Sequence, residues 1–380
     1  MTVRRILVQP VVLAALGVVV IVLVLTAVDD FRSVQLTQMA YLGIAAGGLT
    51  VLTGLNGQIS LGHGALMAVG AYTTALLLQD DEPMLPLLGV LVVATVVTLV
   101  VGAAIGVAAA RLHGPYLAGA TLALAVAVPG IALYFGDTLG GEQGLRVRVP
   151  DAPGWVLDAA YFVTGQDLTP SKYVAFLGWG TLVVAYLGLA HLSRGRVGRR
   201  WRAVRDDEVA AEVAGISLGR ARVSAFVVSA AAAGAAGFVM ALSVRLAAPS
   251  GYSLTLSLTL LTAVVLGGLG SLTGALLGAA LLTFLPQVVT DAGVSAGLDD
   301  IRAAELAPLI YGLVLVAVIL LAPAGLSAVS APRGTGRAGP PRRENPHEHS
   351  AQAAAQEVGR HDRRPHLVGP GRRLRRRRPQ

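Results

Sequence analysis

Long apolar runs alternate with short polar connections through most of the chain. The runs at 11–28 and 87–110 contain no charged residue. An uncharged apolar stretch of roughly 18 or more residues is long enough to cross the hydrocarbon core of a bilayer as a helix. The pattern therefore predicts an all-α fold, a polytopic bundle of transmembrane helices.

We identify ten apolar segments, and we assign residues 1–330 to a single transmembrane domain. Some of these segments are short or interrupted by glycine. The segments are 8–28, 35–54, 60–78, 86–110, 116–135, 173–192, 222–246, 254–268, 271–290 and 306–323.

Arginines are distributed unevenly between alternate connections. If the N-terminus is cytoplasmic, the connections placed inside contain Arg111, the arginines between 194 and 222, and those of the C-terminal tail. The connections placed outside are rich in Asp and Glu instead. Because an excess of Arg marks cytoplasmic loops, the sequence predicts ten spans with both termini in the cytoplasm.

The composition supports a membrane protein, although its net charge is misleading. Hydrophobic residues make up 54% of the chain and charged residues only 14%, against about 25% charged in ordinary soluble domains. The formal charge of +8 comes from residues 331–380, which contain 13 Arg and 4 acidic residues. Because low hydrophobicity with high charge is typical of disorder, we predict a disordered cytoplasmic tail. Its expected partner is anionic membrane lipid rather than nucleic acid.

Two connections are longer than a turn. Residues 136–172 are expected outside, and residues 193–221 form a long cytoplasmic loop. Within that loop the acidic cluster 206–208 favours the start of a helix, and Gly215 favours its end. Two interpretations stay open: an interfacial helix that only connects two spans, or a docking helix for a cytoplasmic partner. The apolar face of this helix consists of Val209, Ala210 and Val213.

The chain lacks the residues that would let it power transport by itself. A P-loop needs a lysine directly after its last glycine, and the only lysine, Lys172, follows Ser171. The predicted spans also lack the buried Asp or Glu residues of proton relays. With no cysteine and no cluster of nucleophiles or metal ligands, we predict no catalytic, cofactor or metal site. The pattern therefore points to a motor in a separate subunit.

The stretch 54–74, "GLNGQISLGHGALMAVGAYTT", is polar and rich in glycine although it lies between two apolar runs. In lipid, irregular backbone is tolerated where it is buried in protein or lines a wet cavity, and broken helices often form small-molecule sites. Two hypotheses stay open: a glycine-packed turn whose polar groups are satisfied internally, or a contact with a passing substrate. The candidate pathway residues are Gln58, Ser60, His63 and Tyr72.

Four glycine-rich motifs follow one another along the chain. They are "GQISLGHGALMAVGAY" (57–72), "HGPYLAGATLALA" (113–125) with "GGEQGL" (140–145), "GRRWRAVRDDEVAAEVAGI" (198–216) with "SAFVVSAAAAGAAG" (224–237), and "VVLGGLGSLTGALLGAALL" (264–282). In this order they resemble the permease subunits of bacterial branched-chain amino-acid ABC importers, the LivM type. The resemblance runs from about residue 35 to 326.

The resemblance implies an assembly in the bacterial plasma membrane. A second, LivH-like permease subunit would share the pathway, two LivG/LivF-like ATPases would hydrolyse ATP in the cytoplasm, and an external binding protein would deliver a branched-chain or other small amino acid. Urea or short-chain amides are the alternative substrates, and a stand-alone transporter or channel is the alternative mechanism. By the same resemblance, residues 201–216 are the coupling helix, with contact residues Trp201, Arg205, Asp206, Asp207, Glu208, Ala211, Glu212 and Gly215.

Overall fold

The computed structural model describes residues 17, 19–80, 85–112, 114–165 and 167–321. Residues 19–27 are helical. The helices that follow, in chain order, are α1 (Asp30–Leu49), α2 (His63–Leu77), α3 (Leu87–Ala109), α4 (Pro115–Tyr134), α5 (Gly154–Thr164), α6 (Pro170–Arg194), α7 (Arg196–Asp206), α8 (Glu208–Val213), α9 (Leu218–Val244), α10 (Leu254–Gly267), α11 (Leu272–Ser295) and α12 (Asp300–Leu321).

Short elements lie in the connections. A π-helical turn continues α1, and two short strands, β1 and β2, pair antiparallel with Leu145 opposite Ala247. This pair joins the connection after α4 to the connection after α9. The short elements are the π-helical turn Thr50–Leu55, the one-turn helix Gly136–Leu139, the 3-10 helices Gly141–Gln143 and Pro249–Tyr252, and the strands β1 (Leu145–Arg146) and β2 (Leu246–Ala247).

The helices agree well with the predicted apolar segments. Each predicted segment from 35–54 onward overlaps one of the helices. Seven helices in the described residues are long and apolar enough to cross a membrane, and α2 is a shorter apolar helix. The prediction of an all-α, multi-pass membrane protein is confirmed, whereas ten spans and cytoplasmic termini stay predictions. Residues 8–16 and 18 of the segment 8–28, and the whole tail 331–380, lie outside the described residues.

Small residues bring the central helices α1, α2, α3 and α9 together. Gly70 of α2 lies so close to α9 that an added Cβ would stand 2.5 Å from the carbonyl oxygen of Gly234. Gly102 of α3 likewise leaves no room for a Cβ beside Ala230 of α9. Because lipid gives helices little hydrophobic reason to associate, close contact between small residues is a main source of packing energy in membranes.

The arrangement of α6 to α9 defines one end of the bundle. α6 ends at Arg194, α7 and α8 follow, and α9 begins at Leu218. We call this end, formed by residues 194–222, the arginine-rich end. The glycine-rich turns that precede α2 and α11 also reach it, because both contact Arg205 of α7.

Candidate transport pathway and coupling site

The chain between α1 and α2 leaves the α-helical conformation at its most polar stretch. α1 passes directly into the π-helical turn Thr50–Leu55. Residues 56–62 then form no regular element, and α2 begins only at His63. Because π-helical turns are rare and often occur at functional sites, this stretch is a candidate site. The predicted break in the helix is confirmed.

We call residues 50–62 the broken stretch, and several of its polar side chains are buried. Asn56 is 3% exposed and Gln58 6%, while Ser60 and His63 are fully buried. The side-chain amide of Gln58 donates to Asn56 Oδ1, and the Thr53 hydroxyl donates to the Gln58 carbonyl oxygen at 3.0 Å. These local bonds satisfy part of the polar groups internally, as the packing hypothesis for this stretch requires.

Side chains from two neighbouring helices hold the start of α2. The hydroxyl of Ser257 in α10 accepts a hydrogen bond from the Gly64 N–H at 3.0 Å. The hydroxyl of Thr121 in α4 accepts one from the Leu61 N–H, also at 3.0 Å. The Gly64 N–H is one of the first N–H groups of α2, which have no partner within the helix, and Leu61 lies directly before the N-cap Gly62. The two hydroxyls therefore hold a helix start inside the protein. Neither Ser257 nor Thr121 was predicted from the sequence.

The start of α2 lies well inside the bundle. His63 Nδ1 is 3.5 Å from Ser229 Oγ of α9. At about 1.5 Å per residue, Ser229 lies about 16 Å along α9 from Leu218 at the arginine-rich end. α2 therefore begins about halfway through the bundle. The irregular residues before it extend from the arginine-rich end to that level.

Several buried polar atoms near this stretch have no hydrogen-bond partner among the described residues. Tyr72 packs against Tyr252 with ring centroids 6.4 Å apart, and both hydroxyls lack a partner. Thr50 Oγ1, Asn56 Nδ2 and His63 Nε2 share this property. A buried polar group without a partner costs about 1–3 kcal/mol, so each of them calls for an explanation.

The predicted pathway residues line neither of two cavities in the described part of the chain. One large cavity lies between α3 and α6, and a second lies at the arginine-rich end; both are lined by other residues. The contact of Gln58, Ser60, His63 and Tyr72 with substrate therefore stays a prediction. Tyr72 lies about 14 Å further along α2 than His63, at about 1.5 Å per residue.

The segment predicted as one coupling helix consists of parts of two helices. Asp207 separates α7 from α8, and its side chain caps α8 by accepting from the Ala210 N–H at 3.0 Å. Trp201 lies within α7, is fully buried, and donates from its indole N–H to Ser224 Oγ at 2.9 Å. Trp201 therefore anchors α7 to α9, and its membership of the coupling helix stays a prediction.

Helix α8 turns one side towards the bundle and the other side outward. Val209 is 72% exposed and Val213 85%, whereas Ala211 is only 4% exposed. The helix ends as predicted, because Gly215 has a φ of +80° and the Ile216 N–H donates to the Ala211 carbonyl at 2.9 Å, which closes a Schellman motif. Ala211 therefore packs on its own chain, and the two exposed valines form the outer surface of α8.

An ion pair that the sequence analysis missed fixes α8 to α9. Arg222 Nη2 donates to Glu208 Oε1 at 2.6 Å, with side chains 6% and 48% exposed. The guanidinium also donates to the Ala110 carbonyl at 3.3 Å. A buried charge is stable only with a partner, so Glu208 is more than an exposed acid at a helix start. The two residues lie far enough apart in sequence that no helical spacing reveals the pair.

Arg205 joins α7 to both glycine-rich turns. Its Nη1 donates to the Gly54 carbonyl at 2.7 Å, while Nε and Nη2 donate to Asp206 Oδ1 at 3.0 and 2.8 Å. Gly54 packs backbone to backbone against Gly270, in the turn between α10 and α11. One guanidinium therefore contacts the place where the two turns meet.

Comparison with known proteins identifies the class. Residues 33–319 match the family of permease components of branched-chain amino acid transport systems. The chain belongs to this family. It is 31% identical over 322 residues to the high-affinity branched-chain amino acid transport system permease protein LivM of Salmonella typhimurium, which covers 79% of this chain and 71% of LivM. No solved structure matches the chain.

Two further relatives are permease proteins of high-affinity branched-chain amino acid transport systems. LivM of Escherichia coli is 31% identical over 305 residues, 75% of this chain and 67% of LivM. LivH of Escherichia coli is 26% identical over 286 residues, 73% of this chain and 88% of LivH. This permease is accordingly an ABC importer subunit and not an enzyme, as predicted.

The family's motifs coincide with the two regions described above. The motif at 57–72 covers residues 57–62 of the broken stretch and the first part of α2, and the motif at 198–216 covers most of α7 and all of α8. The permease brings Gln58, Ser60 and His63 together near the start of α2. The predicted coupling residues that lie together on the outer side of the arginine-rich end are Asp206, Asp207, Glu208, Glu212 and Gly215.

Proposed function

We propose that this permease, with a second, LivH-like permease subunit, forms the pathway for branched-chain or other small amino acids across the bacterial plasma membrane. Separate cytoplasmic ATPases would bind and hydrolyse ATP, and an external binding protein would deliver the substrate. Membership of the family supports the substrate class. The excess of Arg at the arginine-rich end supports its placement in the cytoplasm.

The single observation that supports α8 as the contact with the ATPases is its exposed apolar side. Val209 and Val213 project outward, and charged residues surround them. An apolar centre with a charged rim is the usual composition of a protein-docking surface. The cap at Asp207, the Gly215 turn and the ion pair to Arg222 hold α8 in a defined position. A fixed helix transmits force better than a mobile loop.

A short chain of contacts connects α8 to the broken stretch. α8 follows α7 directly through Asp207, and Arg205 of α7 holds the Gly54 carbonyl at the end of the π-helical turn. We infer that this hydrogen bond couples movement of α7 and α8 to the residues before α2. Such coupling requires a contiguous chain of contacts, and the residues from α8 through Arg205 to Gly54 form one.

The start of α2 offers neutral donors and acceptors to a passing zwitterion. Gln58, Ser60 and His63 supply amide, hydroxyl and imidazole groups, and the unmatched Nε2 of His63 and hydroxyl of Tyr72 support a role for ligand or water in an open state. Urea or short-chain amides would suit the same groups, and the ligand of the binding protein discriminates between the two substrate classes. A stand-alone transporter would need no ATPase.

The test replaces one exposed valine in the complete transport complex. We expect Val213→Asp to leave the permease folded, because the side chain is 85% exposed. Co-purification of the ATPases should fall about tenfold or more, because a charge would be buried at the contact without a partner, and uptake should fall with it.

The matched control is Val294→Asp, near the far end of α11, where the valine is 40% exposed. This variant should bind the ATPases and transport as the wild type does. Normal ATPase binding and uptake in Val213→Asp would exclude α8 as the contact. Uptake by the purified permease pair without ATPases would exclude an ABC mechanism altogether.

A further inference from the structure

A cavity of about 680 Å³ lies at the arginine-rich end, between α7 and the start of α9. Three arginines of α7 line it at positions 196, 199 and 200, a spacing that places them on one face of the helix. Arg220 of α9 lines the same cavity, and no acidic residue does. Four arginines, all of them exposed, therefore line one space.

These four arginines have no ion pair with a described residue. Arg199 donates to the Arg194 carbonyl at 3.4 Å, which adds no negative charge. Positive charges gathered around one cleft attract an anion strongly. The ion pairs within the described part of the chain are formed elsewhere, by Arg205 with Asp206, Arg222 with Glu208, and Arg302 with Asp299.

The main chain at the cavity adds to this positive potential. Ser217 is the N-cap residue of α9, and its side chain makes no capping hydrogen bond. The free N–H groups and the positive end of the dipole of this 27-residue helix therefore lie at the cavity wall. The guanidinium groups remain the main attraction for an anion.

The position of the cavity identifies the source of that anion. α6 ends at Arg194 and α9 begins at Leu218, and both helices are long and apolar enough to cross a membrane, so we place the cavity at the membrane surface. Phospholipid headgroups occupy this level. Part of the wall is apolar and is formed by Val197, Trp201, Ile216 and Ala221. A wall of this kind suits the glycerol and upper acyl region of a lipid better than a free ion.

We propose that this cavity binds the phosphate group of an anionic phospholipid. The planar guanidinium group forms paired hydrogen bonds with phosphate oxygens, and basic pockets between spans are suited to lipid headgroups. Because α7, the turn after α8 and the start of α9 form the cavity, a bound lipid would hold α7 and that turn at the membrane surface. Inorganic phosphate has the same binding chemistry, and an acidic group of an ATPase is the competing occupant.

The experiment compares lipid retention by three forms of the purified permease. Wild type, Arg199→Gln/Arg200→Gln/Arg220→Gln, and Arg202→Gln are incubated with phosphatidylglycerol or phosphatidylcholine and measured by native mass spectrometry. Arg202 lies on α7 but does not line the cavity. We expect the triple variant to lose phosphatidylglycerol binding about tenfold or more, because each arginine near the surface contributes to the attraction. Arg202→Gln should bind as the wild type does.

Four further measurements test the proposal, and the last two decide between the occupants. Single Arg220→Gln should give an intermediate loss, and phosphatidylglycerol should raise the unfolding temperature of the wild type but not of the triple variant. Equal retention of phosphatidylglycerol by wild type and triple variant would overturn the proposal. So would displacement of the lipid by millimolar inorganic phosphate, or loss of ATPase co-purification in a triple variant that keeps its lipid.

Discussion

The broken stretch before α2 and helix α8 reverse the usual relation between hydropathy and burial. In the broken stretch, Asn56, Gln58 and Ser60 are at most 6% exposed. In α8, Val209 and Val213 are 72% and 85% exposed. Polar residues therefore lie inside the permease, while two β-branched apolar residues lie on its surface.

The difference comes from what packs against each region. Glycines bring the backbone of the broken stretch into contact with its neighbours, so that the polar side chains between them are enclosed. At Gly62, for example, an added Cβ would stand 2.6 Å from the Thr121 carbonyl oxygen. α8 is held from one side only, by buried Ala211 and the ion pair to Arg222. Neighbouring backbone decides burial in both regions, and residue hydropathy does not.

The largest effect is expected from disrupting the close backbone contact between the broken stretch and Gly270. A Cβ at Gly54 would overlap the backbone of Gly270, which has no flexible atom to move away. We expect Gly54→Ala to lower the free energy of unfolding by about 3 kcal/mol, at the upper end of typical overpacking costs. The measurement is thermal unfolding of the purified permease.

The matched control is Gly180→Ala in α6, where an added Cβ would meet no atom within 4 Å. This substitution should stabilise the helix by about 0.5–1 kcal/mol. If the two variants unfold at the same temperature, close backbone contact does not explain the burial of the broken stretch.

The second-largest effect is expected from removing the contact between Arg205 and the broken stretch while α8 and the stretch itself stay intact. Arg205→Ala deletes the hydrogen bond to the Gly54 carbonyl and leaves the valines of α8 in place. A hydrogen bond from a charged group contributes about 1.5–3 kcal/mol, so we expect uptake to fall about tenfold while ATPase co-purification stays normal. Arg202→Ala on the same helix should transport normally. Uptake by Arg205→Ala equal to that of Arg202→Ala would show that this bond does not transmit force.

The smallest effect concerns the attachment of α8. Glu208→Gln keeps the shape of the side chain but removes the charge that faces Arg222, and we expect a loss of about 1 kcal/mol because Glu208 is half exposed. Exposed Glu212→Gln, on the same helix, should change the unfolding temperature very little. Equal unfolding temperatures for the two variants would mean that the ion pair does not hold α8.

Local signals in the sequence predicted the elements of both regions. Uninterrupted apolar runs predicted the long helices, because a span needs about 20 apolar residues whatever packs beside it. The acids near Asp207 and the glycine at 215 predicted the ends of α8, because caps act within one helical turn. The glycines and polar residues of the motif at 57–72 predicted the break before α2.

Contacts between distant residues were not predictable in the same way. Trp201, predicted as part of the coupling helix, lies buried in α7 and bonds to Ser224. Ala211, predicted in the same helix, packs on its own chain. The bond from Arg205 to Gly54 joins residues that are 151 positions apart in sequence. A single sequence contains no signal for any of these pairs.

The sequence by itself determined that this protein is a helical, multi-pass permease with a break before α2 and a capped helix in its arginine-rich loop. Those features depend on hydropathy, glycine content and capping, which act over a few residues. Only the tertiary structure decided which polar residues are buried, which valines are exposed, and which arginine holds each element. Burial and ion pairing depend on the approach of segments far apart in the chain, where a shift of one ångström decides whether a side chain fits.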